Sequence, residues 1–124
     1  MSNAKRLRHL AVSLMIMVVN INLEYADTLS DGDQEFKVEF TNTFENSFRE
    51  LTKEMYNNLA SRDFAQLAKN AHQLKPSAKM IELPCAMLLE EIQHDPHTGT
   101  IEKLDQIVEE CEDALRQLRA WENK

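Results

Sequence analysis

Phe36, Phe40, Phe44, Phe48, Leu51, Met55 and Leu59 recur at spacings of three and four. At 3.6 residues per turn they form one apolar stripe on a helix of about seven turns. An aromatic stripe of this kind belongs to a core rather than to a ligand pocket. Only two glycines and three prolines interrupt 124 residues, and β-branched runs are scarce, so the chain is expected to be all-α. Asp31-Gly32-Asp33 reads as a turn followed by an N-cap. Ser61-Arg62-Asp63 is a tight connection, and Asp63 with Gln66 has the spacing of a capping box. A second long helix is expected from Phe64 to about Glu82, burying Leu67, Ala71, Leu74, Ala78 and Ile81. Pro84 suits the first turn of a third helix, which continues through Met87, Leu88, Leu89 and Ile92. His94-Asp95-Pro96-His97-Thr98-Gly99 breaks it. A final helix is expected to bury Ile101, Leu104, Val108, Cys111, Leu115, Leu118 and Trp121. Short connections make these helices antiparallel neighbours in an up-down bundle.

Composition bounds what such a bundle does. The length gives one domain with one core, and 43% apolar against 28% charged residues suits a soluble fold. A net charge of −7 argues against general nucleic-acid binding, since phosphate repulsion would go unopposed. Cys85 and Cys111 make no CxxC pair and fall at apolar helical positions, as reduced core thiols of a cytoplasmic protein would. Residues 1–22 read as an N-terminal extension to a bundle domain spanning 23–124. In it Lys5, Arg6 and Arg8 precede an apolar run from Leu10 to Ile21, the charge order of a signal peptide. Glu24 and Tyr25 stand where a small-residue cleavage site would be. The run is also shorter than the roughly 20 residues of a membrane span. Two readings follow: a helix or strand packed on the bundle, or the membrane-proximal remnant of a longer chain.

The second long helix carries the chemistry. With its apolar stripe at zero, His72 falls on the solvent side, about 140° away at 100° per residue. Lys75 and Lys79 flank it on one side, Lys69 and Pro76 on the other, and Ala65 and Ala68 precede it on the same strip. Between Ala65 and Met80 stand three lysines and no acid, in a chain that is acidic overall. A neutral imidazole is a good nucleophile toward phosphorus, and nearby ammonium groups favour its neutral form. They would also steady a transferred phosphoryl group, with Lys75 one turn away as the best-placed counter-charge. Small neighbours let a partner's active site approach. Pro76 removes the N–H that would bond to the His72 carbonyl, so a local kink is expected there, with that carbonyl free.

Ala71-His72-Gln73-Leu74-Lys75-Pro76-Ser77-Ala78 resembles the motif of the histidine phosphotransfer (HPt) domain of bacterial phosphorelays. The resemblance extends from about Leu23 to Leu118. Gly32-Asp33-Gln34-Glu35-Phe36 looks like the start of the family's second helix, and Leu88-Leu89-Glu90-Glu91-Ile92 like the segment after its histidine helix. It implies a four-helix bundle with an additional N-terminal element, a phosphoacceptor at His72 and a phosphate-stabilising Lys75. It further implies a phosphocarrier rather than an enzyme, a monomer with no cofactor of its own. Receiver domains of response regulators and hybrid sensor kinases would supply the aspartate and Mg²⁺. They would dock on Ala65, Ala68, Lys69, Pro76 and Lys79. A polar side chain of the next helix, Gln93 or His94, would reach toward the histidine. The family usually has glycine where Pro76 and Glu82 stand, and Glu82 therefore bears on partner specificity.

Other chemistries find less support. His94 and His97 with Glu90 and Glu91 suggest a metal site, but Pro96 breaks the register between the histidines and no third ligand has a convincing spacing. Neither cysteine has a helically spaced histidine, and no GxSxG elbow or glycine-rich phosphate loop occurs. The runner-up is a docking module of the same fold that binds receiver or kinase domains without carrying phosphate. A purely structural bundle is the third reading.

Overall fold

The structure is a computed structural model that describes residues 19–124. These form helices α1 (Glu24–Ser30), α2 (Gln34–Ala60), α3 (Phe64–Met80), α4 (Ala86–His94) and α5 (Ile101–Glu122), with a 3₁₀ turn at Pro96–Thr98 and no strand among the described residues. The helices α2 to α5 build the bundle. In it α2 packs on α3 and on α5, and α3 packs on α4.

Each long helix begins where a side chain satisfies its free N–H groups. The Asp33 carboxylate accepts from the N–H groups of Glu35 and Phe36, and Asp63 accepts from Gln66 at 3.2 Å. At the start of α5 the Thr100 hydroxyl accepts from the Lys103 N–H, a cap the sequence reading did not include. Helix α2 ends in a Schellman turn. Arg62 is left-handed at φ 61°, its N–H bonds to the Leu59 carbonyl, and the Asp63 N–H bonds to Asn58. Helix α3 ends the same way. Glu82 sits at φ 57°, its N–H reaches the Lys79 carbonyl, and the N–H of buried Leu83 reaches Ala78 at 2.8 Å. Glu82 thus occupies a position where a side chain is strained and glycine is not.

Phe44, Phe48 and Met55 of α2 meet Leu67, Ala71, Leu74 and Ala78 of α3, Leu89 and Ile92 of α4, and Leu104, Ile107, Cys111, Ala114 and Leu118 of α5 in one core. The expected stripe of α3 is buried in full, including Ile81. Phe36, Phe40, Leu51 and Leu59 of the α2 stripe are half-buried. Two α5 positions differ from expectation. Ile101 is 50% exposed because it opens the helix, before α5 meets its neighbours. Val108 is half-buried and lines a groove against α2, while Ile107 takes the core position. Helix α4 starts at Ala86 rather than at Pro84, because Ala86 and Met87 bond back to Leu83 and Pro84 in a tight turn.

The short α1 has no apolar stripe of its own, but it stands where the resemblance, which counts the helix after Gly32 as the second, implies an element. It buries Ala26 and Ser30, and its Asp27 accepts from the Trp121 indole N–H at 3.0 Å. Before it, Val19 to Leu23 strap the bundle. The Gln117 amide donates to the Val19 carbonyl, and the Asn22 N–H donates to the Ile81 carbonyl at the end of α3. The Asn22 side chain donates to the Glu82 carboxylate. The basic residues Lys5, Arg6 and Arg8 and most of the apolar run lie outside the described residues. None of the described helices is long and apolar enough to cross a membrane.

Candidate functional site

Helix α3 is anchored along one side and open along the other. Two residues before His72, Asn70 is fully buried, and its Oδ1 accepts from the Asn58 amide of α2 at 2.7 Å. That bond and the buried stripe fix the rotation of α3, so the opposite face cannot turn inward. The sequence reading missed Asn70, and no pattern of apolar residues would have found it.

The open face carries the expected strip. His72 is exposed, as are Ala65, Lys69, Pro76 and Lys79, whereas Ala68 and Lys75 are half-buried at the edge of the strip. Among the described residues the side chains of His72, Lys69, Lys75 and Lys79 make no hydrogen bond or ion pair. The contrast is with the α2–α5 seam. There Arg49 bonds Glu45 and Glu112 at 2.9 and 2.6 Å, and Arg119 bonds Glu45 at 2.8 Å. The Arg49 hydrogen bond, with help from Arg119, holds the Glu45 carboxyl below its ordinary range. The chain therefore neutralises cations on one side of the bundle and leaves three lysines unneutralised around one imidazole. Helix α3 itself contains no acid.

Pro76 lies inside α3, and the helix runs through it without interruption from Phe64 to Met80. The proline does not break the helix. Lacking an N–H, Pro76 still gives the His72 carbonyl no i+4 donor.

The two candidates on α4 face differently. Gln93 is half-buried on the helix packed against α3, and its Oε1 is buried with no hydrogen-bond partner among the described residues. His94 is exposed, and its Nε2 lies 3.6 Å from Glu90. A buried acceptor left unpaired is costly, typically about 1–3 kcal/mol. The histidines and glutamates around the end of α4 take different partners. Glu91 bonds Lys103 at 2.7 Å, and the His97 ring packs on Phe64 at 4.2 Å. Among the described residues no group of three or more His, Cys, Asp or Glu could hold a metal ion.

An exposed imidazole beside an ammonium group, with no acid or base partner, can receive a group delivered to it. A sequence model of the Hpt domain matches residues 39–121, a span that holds α3, α4 and every candidate residue from Ala65 to His94. No curated protein and no solved structure matches the chain.

Proposed function

This chain belongs to the Hpt domain family, phosphotransfer modules of two-component signalling, and from that premise we propose that His72 is its phosphoacceptor. A neutral imidazole nitrogen of His72 attacks the phosphorus of a receiver domain's aspartyl phosphate. The N–P bond forms as the O–P bond breaks, and the aspartate leaves as a carboxylate. The reverse step delivers the group to a second receiver. The reading rests most on one observation: His72 is exposed on an acid-free helix face with Lys75 one turn away.

Lys75 is half-buried, so its ammonium is held near the strip and can stay close to phosphoryl oxygens as charge builds on them. Lys69 and Lys79 extend the positive field along the helix, where it complements the acidic pocket in which a receiver holds its aspartate and Mg²⁺. The metal belongs to the partner, and this chain supplies the nucleophile and the counter-charge. Ala65 and Ala68 keep the approach low, and Pro76 and the α4 edge at Gln93 and His94 complete the docking rim. Gln93 brings an amide with an unpaired oxygen, and its N–H groups suit it to steady the phosphorylated imidazole. The protein works as a monomeric carrier in the cytoplasm.

The test is transfer from a phosphorylated receiver domain in the presence of Mg²⁺, followed on wild type, His72→Gln and Lys75→Ala. His72→Gln should abolish uptake. Lys75→Ala should slow it by roughly 10²-fold, the effect of removing one preorganised charge. Undiminished uptake by His72→Gln would refute the assignment. Receiver binding with no phosphate gained by wild type would favour the docking-module reading.

A further inference from the structure

The hydrogen bond between Asn58 and Asn70 lies behind the phosphotransfer strip. With His72 at zero, Asn70 falls about 160° away around α3, on the flank that meets α2. It is fully buried, and its Oδ1 accepts from the Asn58 amide at 2.7 Å. Its own Nδ2 is buried with no hydrogen-bond partner among the described residues. Asparagine is therefore costly here, since an apolar side chain of similar size would leave no group unpaired. The Asn58 end is fixed as well. Its carbonyl accepts from the Asp63 N–H at 2.8 Å and from the Ser61 hydroxyl at 3.3 Å, and Asp63 caps α3. Asn58 thus ties the start of α3 to a point two residues before His72.

Taking His72 as the phosphoacceptor, we propose that Asn70 is a positioning residue for phosphotransfer. Its bond to Asn58 sets the roll of α3, and so the place of the imidazole relative to the α4 edge on which the same partner docks. Apolar contacts alone do not set that angle, because burial is non-directional and a hydrogen bond is directional. The flank of α3 away from Asn70 carries Ala68, Ala71, Lys75 and Ala78. Three methyl groups and a flexible lysine put no bulky knob in the way of a roll. A roll of about 15° carries an atom roughly 6 Å from the helix axis through about 1.5 Å. In a reaction that depends on orientation, a misplacement of about 1 Å costs on the order of 10²-fold.

A purely structural asparagine would act on folding and leave transfer by the folded protein unchanged. A positioning asparagine acts on the folded protein itself. Without the bond, His72 stays exposed and Lys69, Lys75 and Lys79 stay on its helix face. Attraction of the receiver and the intrinsic reactivity of the imidazole therefore persist. Only the fit between the imidazole and the docked aspartyl phosphate is lost, so the defect falls on the maximal transfer rate.

The experiment measures single-turnover transfer from a phosphorylated receiver domain with Mg²⁺ to the full chain, over a range of receiver concentrations. Wild type is compared with Asn70→Leu, Asn58→Ala and the double variant, each rate being taken per folded molecule by circular dichroism. Asn58→Ala removes the bond from a half-buried position on α2, and so tests the same bond without altering the core of α3. Each single variant should lose about 10-fold or more in maximal rate, with half-saturation within about twofold of wild type. The double variant should be no slower than the slower single one, because both remove one bond. Tyr56→Phe, which loses a bond between α2 and α5, should transfer at the wild-type rate. Phosphorylation of His72 by phosphoramidate, a small donor that needs no docking, should match wild type in every variant. Wild-type maximal rates per folded molecule in Asn70→Leu and Asn58→Ala would overturn the positioning role alone. So would additive losses, or an equal loss with phosphoramidate. No transfer to wild type would overturn the reading of His72, and the role of Asn70 with it.

Discussion

Gly99→Ala offers a test in which two physical terms oppose each other and the structure decides the sign. Gly99 has an ordinary backbone, φ −66° and ψ 131°, which alanine adopts without strain. By conformational entropy alone the substitution should stabilise the protein by about 0.4–1 kcal/mol, because alanine restricts the unfolded chain. The surroundings say otherwise. A Cβ at this position would stand 3.0 Å from Leu67 Cδ2 and 3.1 Å from the Pro96 carbonyl oxygen, with Ile92 Cγ1 at 3.9 Å. Leu67 and Ile92 are fully buried, and the carbonyl belongs to the 3₁₀ turn, so none of them yields freely. Overpacking of this kind costs about 1–3 kcal/mol. The net expectation is a loss of about 1 kcal/mol, or roughly 4 °C in thermal midpoint for a domain of this size. Urea denaturation of both proteins, followed by circular dichroism, measures it. A Gly99→Ala protein as stable as wild type, or more stable, would refute the claim that this connection is packed tightly against α3.

Glu82 tests the left-handed turn that ends the histidine helix. Glu82→Ala and Glu82→Gly both lose the bond from Asn22, so the difference between them isolates the backbone. Glycine should be the more stable by about 0.5–1 kcal/mol, since the left-handed penalty for a side chain exceeds the flexibility cost of glycine. Equal stabilities would contradict the Schellman geometry. Tyr56 tests the α2–α5 contact. Burial and its 2.5 Å hydrogen bond to Asp105 push the phenol well above its ordinary range. Below about pH 10 both folded and unfolded states keep the proton, and the contribution is complete. Above it the unfolded chain releases the proton first, so stability falls as pH rises. Tyr56→Phe should flatten that fall above about pH 10, and identical pH profiles would show that Tyr56 is not held in the protonated state.

Periodic features were legible in the sequence. The stripes of α2 and α3, the caps at Asp33 and Asp63 and the outward rotation of His72 all follow from 3.6-residue spacing and local hydrogen bonding, and the structure has each of them. Features that depend on distant partners were not legible. Helix α1 has only two buried residues and takes its place from Trp121 and the α2–α5 ends, so no stripe announces it. Ile101 fits the apolar period of α5, but a helix's first residue lies before its neighbours begin. The strain at Glu82 was foreshadowed only by the family's preference for glycine there. Cys85 and Cys111 read as core residues and both are buried, whereas the bond from the Cys85 N–H to the buried Glu110 carboxylate joins distant positions and no local pattern announces it. Gln93 and His94 are adjacent in sequence and equally polar; burial alone separates them.

The most direct measurement locates the phosphate. The chain would be phosphorylated by a receiver domain carrying aspartyl phosphate with Mg²⁺, then digested and mapped by mass spectrometry at neutral pH, where phosphohistidine survives. The account predicts a single phosphate on His72, lost on brief acid treatment. Phosphate on His94 or His97 with His72 unmodified would contradict it, as would receiver turnover that leaves this chain without phosphate.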